Sequence, residues 1–326
     1  MKETNETIAE ESNEELSTLK ESLREALNDG DMQRAGELRD QISPHLEVLK
    51  EGLTVSLEKA SEILGNDFLG PEEVGNVLRT KIEKEKVPDI PFSIKELEKA
   101  KELGQALILR VDKLGDNIEN LPLNMLTING IISSAGKGSL ERNCKLNPIR
   151  LEDEYNEAFF IDETPRKGWA LVGTSCVPGS LDRDILGQTD MVKEYLENEV
   201  FPQSSKMPLE YKDAIDSFNN ARPFLKDIWY EGNSSSAKRL GAALEKQAIT
   251  QLTRQTPVEA FYDSAVYYAN NGENMFGYNG IITGTKDSRG HFIIVYLQPG
   301  GSGTTLVHQN AYFNQDHLGT NFARCS

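Results

Sequence analysis

Histidine and cysteine are scarce in this chain: four histidines and three cysteines in 326 residues. The cysteines, Cys144, Cys176 and Cys325, are odd in number and far apart. That pattern suits a reducing compartment better than a disulfide framework. A Cys176–Cys325 bridge remains compatible with the spacing only if the protein is exported. The opening MKETNETIAEESNEELSTLK has no basic segment leading into an apolar one, so no secretory signal is read there. Nowhere do about 18 apolar residues run together, so no membrane-spanning helix is expected. A cytoplasmic location follows as the expectation.

Positive charge is also in short supply. Lys and Arg total 35 against 52 Asp and Glu, a formal net charge of -17. This balance argues against a general nucleic-acid binder or an anionic membrane surface, because both are held by clustered cations. It implies solubility and, where a partner exists, a basic one. Hydrophobic residues at 38% and charged residues at 27% are nonetheless the proportions of a folding chain, long enough for two domains.

Residues 1 to 14 are polar, acidic and without periodicity, and read as a disordered tip. Leu16, Leu19, Leu23 and Leu27 then recur at spacings of three and four, one stripe of a helix. Asn28-Asp29-Gly30-Asp31 breaks it, with Gly30 suited to a left-handed cap and Asp31 to the next N-cap. Met32, Ala35, Leu38 and Ile42 continue the stripe to Pro44. A third amphipathic segment runs from Leu46 to Leu64, and Pro71 opens a short helix through Leu78. The charged, proline-punctuated KIEKEKVPDIP at 81–91 reads as a linker. The expected organisation is a helical arm over 1–80, this linker, and a mixed domain over 92–326 whose last part begins near 250. The fold class is α+β.

In the larger part, Ser93-Ile94-Lys95-Glu96 has the form of a capping box for a helix to about Gly104. Ala106 to Val111 and Trp169 to Gly173 read as buried strands, with a loop-rich insertion over 113–150 between them. Helices dominate from about Gln188 to Asn270, broken near Pro202, Pro208, Asn233 and Thr256. Thr256 as N-cap, Pro257 at the first position and Glu259 at the third start the last of them. Residues 278–326 turn to glycine-punctuated strand character, with 281–283 and 292–297 as the apolar runs.

Recognisable chemistry is sparse. GIISSAGKGS at 130–139 has the wrong spacing for a phosphate loop, and Gly138 stands where Ser or Thr should hold magnesium. His291, His308 and His317 share no helical i, i+4 spacing and have no cysteine pair beside them, so neither metal nor cofactor is expected. Gly301-Ser302-Gly303 lacks the context of a nucleophile elbow. The reading is a non-enzyme, and an enzyme with an unrecognised site needs a cleft holding a perturbed acid or base.

Two resemblances add to this. Leu23-Arg24-Glu25-Ala26-Leu27 followed by Gly30 to Ile42 resembles the UVR helical hairpin, a protein-contact device of excision-repair proteins and partners of Clp-type chaperones. The Thr-Pro-x-Glu-Ala helix start at 256–260 and the closing Gly-x-x-Phe-Ala-Arg at 319–324 resemble the C-terminal half of C-type-lectin-like domains of the formylglycine-enzyme-like branch. With Phe92 to Gln105 and Gly168 to Val172, they look closest to uncharacterised proteins of uncultured small-genome bacteria, similar to variable proteins of diversity-generating retroelements. Both tryptophans, Trp169 and Trp229, lie upstream of where those relatives place one. The cysteines of formylglycine-generating chemistry are absent, so that activity is not implied. What the resemblance implies is a rigid lectin-like scaffold with a diversified ligand-binding surface drawn from Tyr296, Gln298, His308, Gln309, Asn310, Tyr312, Asn314, Gln315, Asp316 and His317. Such residues suit contact, since tyrosine offers rigid amphipathic area and asparagine adaptable hydrogen bonds. The expected partner is a protein or other macromolecule at this C-terminal surface, with protein contact or self-association through the N-terminal helices. The alternative is an adaptor or chaperone partner acting through the UVR-like hairpin.

Overall fold

A computed structural model describes residues 55–114, 121–135, 156–203, 207–298 and 303–325, together with isolated positions between 19 and 41. By its internal contacts the chain divides into two units: Met1–Ser56 with Asp89–Ile94, and Leu57–Pro88 with Lys95–Ser326.

In the smaller unit, positions 33, 34, 36 to 38 and 41 are helical. The Arg34 backbone N–H donates to Asp31 Oδ1 at 3.0 Å, so Asp31 caps the start of this helix. Asp31 N–H in turn reaches the Ala26 carbonyl at 2.9 Å. Val55 and Ile90 form an antiparallel bridge. The acidic tip and most of the leucine stripe lie outside the described residues.

The larger unit is α+β, built on two four-stranded sheets. It begins at helix α1 (Leu57–Leu64), strand β1 (Phe68–Leu69) and helix α2 (Pro71–Leu78). Residues 57–88, which take in most of the expected linker, therefore belong with the larger unit, and 89–94 with the smaller. The cause is that β1 pairs in parallel with β2 (Gln105–Arg110), which fixes this stretch to the sheet. Helix α3 (Ile94–Glu102) leads into β2, and β2 pairs antiparallel with β3 (Gly168–Gly173) over all six residues. Every residue of β2 and β3 is buried, which explains their continuous apolar runs.

The expected loop-rich insertion holds a helix, α4 (Met125–Ala135), followed after the undescribed residues by the short α5 (Ala158–Ile161). Asn124 caps α4 by accepting the Thr127 N–H at 2.9 Å. Gly130 to Ala135 of the rejected phosphate loop sit within α4, and the rest of it lies outside the described residues.

Helices α6 (Ile185–Tyr195), α7 (Leu209–Tyr230), α8 (Ser234–Glu245), α9 (Ala248–Thr253) and α10 (Pro257–Asn271) follow. The start of α10 is a full capping box between Thr256 and Glu259, and Gly272 closes it in the left-handed conformation. The second sheet has the order β6 (Gly303–Gln309), β5 (Phe292–Gln298), β4 (Gly280–Lys286), β7 (Leu318–Gly319). The chain then returns to the first sheet, where β8 (Ala323–Cys325) pairs antiparallel with β3. Phe218, Leu225, Leu240 and Ile249 from the helices pack with Ile282, Phe292 and Ile294 of the second sheet in one apolar cluster. No helix among the described residues is long and apolar enough to cross a membrane. Cys176 and Cys325 are both free thiols, so the bridge between them is absent.

Candidate functional site

Strands β5 and β6 are locked in register from Phe292 opposite Gln309 to Gln298 opposite Gly303. Side chains on a strand alternate between faces, so residues facing each other across this hairpin share a side. Phe292 and Ile294 lie on the helical cluster, and with them on that face belong Tyr296, Val307 and Gln309. His308 is opposite Ile293 and belongs to the other face. The ten candidate residues therefore do not form one surface.

His308 serves the turn between β4 and β5. Its Nδ1 stands 3.0 Å from Asp287 Oδ2, and the same carboxylate accepts from the His291 backbone N–H at 2.8 Å and from Arg289 Nε at 2.9 Å. Burial pushes the Asp287 carboxyl up, but the His291 N–H, Arg289 and His308 outweigh it and hold it below the usual range.

Tyr296 is half-buried and lies across Gly280, its register partner. A Cβ on Gly280 would come 2.5 Å from the tyrosine ring. The ring also meets His317 at 5.7 Å between centroids, and burial pushes its hydroxyl up to about 12. Gln298 is the last residue of β5, and Gln309 is partly buried at the end of β6.

Beyond β6 the chain leaves the sheet and crosses to the turn between α7 and α8. Tyr312 pins it there. Its Oη is 2.7 Å from Ser236 Oγ and 3.0 Å from the Ile228 carbonyl oxygen, and its ring meets Trp229 edge-on. Ala311 is buried, and Tyr312 and Phe313 pack on the apolar cluster. The loop folds on itself, since Asn310 Oδ1 accepts the Tyr312 N–H at 2.9 Å and the Asn310 carbonyl accepts from Phe313. The Leu318 N–H donates to the Gln315 carbonyl at 2.9 Å. Between these anchors, Asn310, Asn314, Gln315, Asp316 and His317 are exposed.

The loop and the α7–α8 turn enclose an open recess of about 410 Å³, lined by Gly232, Asn233, Ser234, Ala237, Asn310, Tyr312, Phe313 and Asn314. Three candidate residues, Asn310, Tyr312 and Asn314, meet here. Asn233 has a structural duty as well, accepting the Ser235 and Ser236 N–H groups to cap α8. The lining carries amides, two hydroxyls (Ser234 and Tyr312) and two aromatic rings, and no carboxylate, imidazole, thiol or ammonium. It is equipped to hydrogen-bond and stack. Sequence reading takes Asn233 only as a helix break and Trp229 only as an upstream tryptophan, and does not single out Ser234 or Tyr230. Their signal was an aromatic pair just before a Gly-Asn-Ser helix break, in a segment otherwise read as helix.

The perturbed carboxylates lie elsewhere. Glu259 and Asp263 of α10 are fully buried against Arg110 of β2, and neither lines the recess. Among the described residues no cluster of His, Cys, Asp and Glu is arranged to hold a metal ion.

Comparison with protein-family models, with curated proteins and with solved structures finds no match to this chain.

Proposed function

We propose that the protein is a non-catalytic ligand-binding protein whose reading surface is the edge at Asn310 and Asn314 to His317, with the adjoining recess as its centre. The observation that carries this is the recess itself: hydrogen-bonding side chains and aromatic rings, held on a braced loop. Complementarity of shape and hydrogen bonding on a pre-built frame is the mechanism. Because Tyr312 and the β5–β6 hairpin fix the loop before a ligand arrives, little ordering entropy is lost on binding.

A lectin-like scaffold is part of the same reading. Two features support it: the last strand, β8, returns to pair antiparallel with β3, and β4, β5 and β6 form an antiparallel meander between them in sequence. On such a frame the exposed edge can change without disturbing the core, as retroelement diversification requires. On this reading the variable set centres on Asn314, Gln315 and Asp316, because Tyr296, His308 and Tyr312 brace the fold, Asn310 accepts the Tyr312 N–H and His317 meets the Tyr296 ring.

The test has two arms. A glycan and peptide array probed with the full chain should give signals that the Asn310→Ala/Asn314→Ala double variant loses by about tenfold or more. Simultaneous randomisation of the exposed Asn314, Gln315 and Asp316 should leave Tm within about 2 °C of the parent, a spread of under about 1 kcal/mol. Array signals indifferent to the double variant, or signals abolished by removing residues 1–56 alone, overturn the proposal, and the second result favours the adaptor reading. A reverse-transcriptase gene beside a near-copy of this gene's 3′ end is the corresponding genomic expectation.

A further inference from the structure

A second recess, remote in sequence from the edge just described, runs along one face of α2. It has a volume of about 460 Å³ and is lined by Pro71, Glu72, Gly75, Asn76 and Arg79 of the helix and its cap, and by residues 80 to 82 and Lys84 of the strap that folds back beside it. The strap lies close because Gly75 lets it. A Cβ there would come 2.7 Å from the Thr80 carbonyl oxygen, and the Thr80 N–H donates to the Gly75 carbonyl at 3.0 Å.

Its charge runs against the rest of the chain. Arg79, Lys81 and Lys84 line the recess against Glu72 alone, three positive charges and one negative, in a chain with a formal net charge of -17. Of the neighbouring acids, Glu73 accepts the Gly70 N–H at 3.0 Å and Glu83 pairs with Lys86 at 2.8 Å, and Glu85, next to Lys84 in sequence, does not line the recess. Arg79, Lys81 and Lys84 are exposed and pair with no carboxylate among the described residues.

Arg79 adds an independent observation. It occupies the helix C-cap with φ 53° and ψ 37°, the left-handed conformation. Glycine or asparagine takes this position at little cost, whereas a long side chain is strained there. Strain held at one residue of a charged recess is a mark of use, since stability alone favours glycine.

The geometry points to an anion-binding site in this recess, for a small ligand carrying a phosphoanhydride or more than one phosphate group. The planar guanidinium of Arg79 offers paired donors to phosphate oxygens, Lys81 and Lys84 supply point charges, and Asn76 offers an amide. The volume is within the ordinary range for a small-molecule site. With all three cations exposed, affinity falls as salt rises, because charges are screened beyond roughly 8 Å at physiological ionic strength.

The full chain is titrated with sodium pyrophosphate by calorimetry at low salt and again at about 0.15 M salt, with sodium sulfate as the simple-anion control. Pyrophosphate should bind more tightly than sulfate and weaken as salt is added. Arg79→Gly keeps the turn and removes the guanidinium, so it should weaken pyrophosphate by about tenfold or more while raising Tm by roughly 2 °C. Lys81→Gln/Lys84→Gln should weaken it similarly with Tm unchanged. Three results each overturn the site: pyrophosphate no tighter than sulfate, equal binding by wild type and both variants, or a lower Tm in Arg79→Gly, which makes the side chain a structural support.

Discussion

Arg110 enters the core of the larger unit as a fully buried cation, and two carboxylates of α10 meet it there. Its Nε donates to Asp263 Oδ1 at 3.0 Å and its Nη1 stands 3.0 Å from Glu259 Oε1. Arg166 grips Glu259 from the other side, through Nε at 2.6 Å and Nη2 at 2.9 Å. Two cations balance two carboxylates, with Arg166 closing the network from the exposed side, which is how the three buried charges of Arg110, Glu259 and Asp263 are tolerated. Burial pushes the Glu259 carboxyl up, but Arg110 and Arg166 outweigh it and hold it at about 2, whereas burial wins at Asp263 and raises it. A carboxyl held below its usual value stabilises the fold above its unfolded pKa, and that contribution is lost as pH falls through the folded one. Glu259 therefore stabilises at neutral pH and ceases to do so between about pH 4.5 and 2, while Asp263, shifted the other way, partly offsets the slope. Glu259→Gln should cost about 3 kcal/mol at pH 7, because it strips a buried guanidinium of one partner. Thermal unfolding followed at several pH values should show the gap between variant and wild type narrowing on acidification. A gap that stays constant to pH 2.5, roughly the folded value, contradicts this account.

The pairing of Gly280 with Tyr296 shows how a strand uses the absence of a side chain. The tyrosine ring lies where a Cβ would stand, so it covers both its own site and its neighbour's. Gly280→Ala forces the ring aside and should cost about 1–3 kcal/mol. In a Tyr296→Ala background the same change should cost little, and chemical denaturation of the four proteins measures the coupling; equal costs in both backgrounds refute the contact. At this scale the sequence was readable where the determinants are local. The Thr256-Pro257-x-Glu259 start of α10 is one case, since its hydrogen bonds span three residues. The apolar runs of β2, β3 and β5 are another. Helix α4 was missed because Asn129, Gly130 and its isoleucines are weak helix formers, and packing against α10 overrides that preference. Its signal was present in Asn124, a cap three residues before Thr127. Alternation along β6 already separates His308 from Gln309. That Tyr296, His308 and Tyr312 are engaged by the fold while Asn310 and residues 314–317 are exposed depends on contacts between residues far apart in sequence and was not legible.

Across the larger unit, the final residues decide whether the two sheets are held to one body. Leu318 and Gly319 pair with β4 in the second sheet, and four residues later β8 pairs with β3 in the first. Along the way the Arg254 guanidinium, buried and facing neutral acceptors, donates to Thr320 Oγ1 at 3.0 Å, and Asn321 donates to Gln255 Oε1. Phe322 is buried against Tyr195, and Arg324 reaches Glu96 at 2.7 Å. The segment thus joins strands whose sequence positions differ by more than a hundred residues, a closure that forms only when the rest is nearly assembled. Deleting residues 318–326 should abolish cooperative unfolding, because it exposes one edge of each sheet and leaves Arg254 short of an acceptor. Since such a deletion can fail to fold at all, Phe322→Ala is the graded measurement. It should cost about 3–5 kcal/mol by denaturant titration with an unchanged m-value. If Phe322→Ala costs under about 1 kcal/mol, or the truncated chain melts in one transition at the parent temperature, the terminal strand is an accessory and the proposed lectin-like scaffold loses a support.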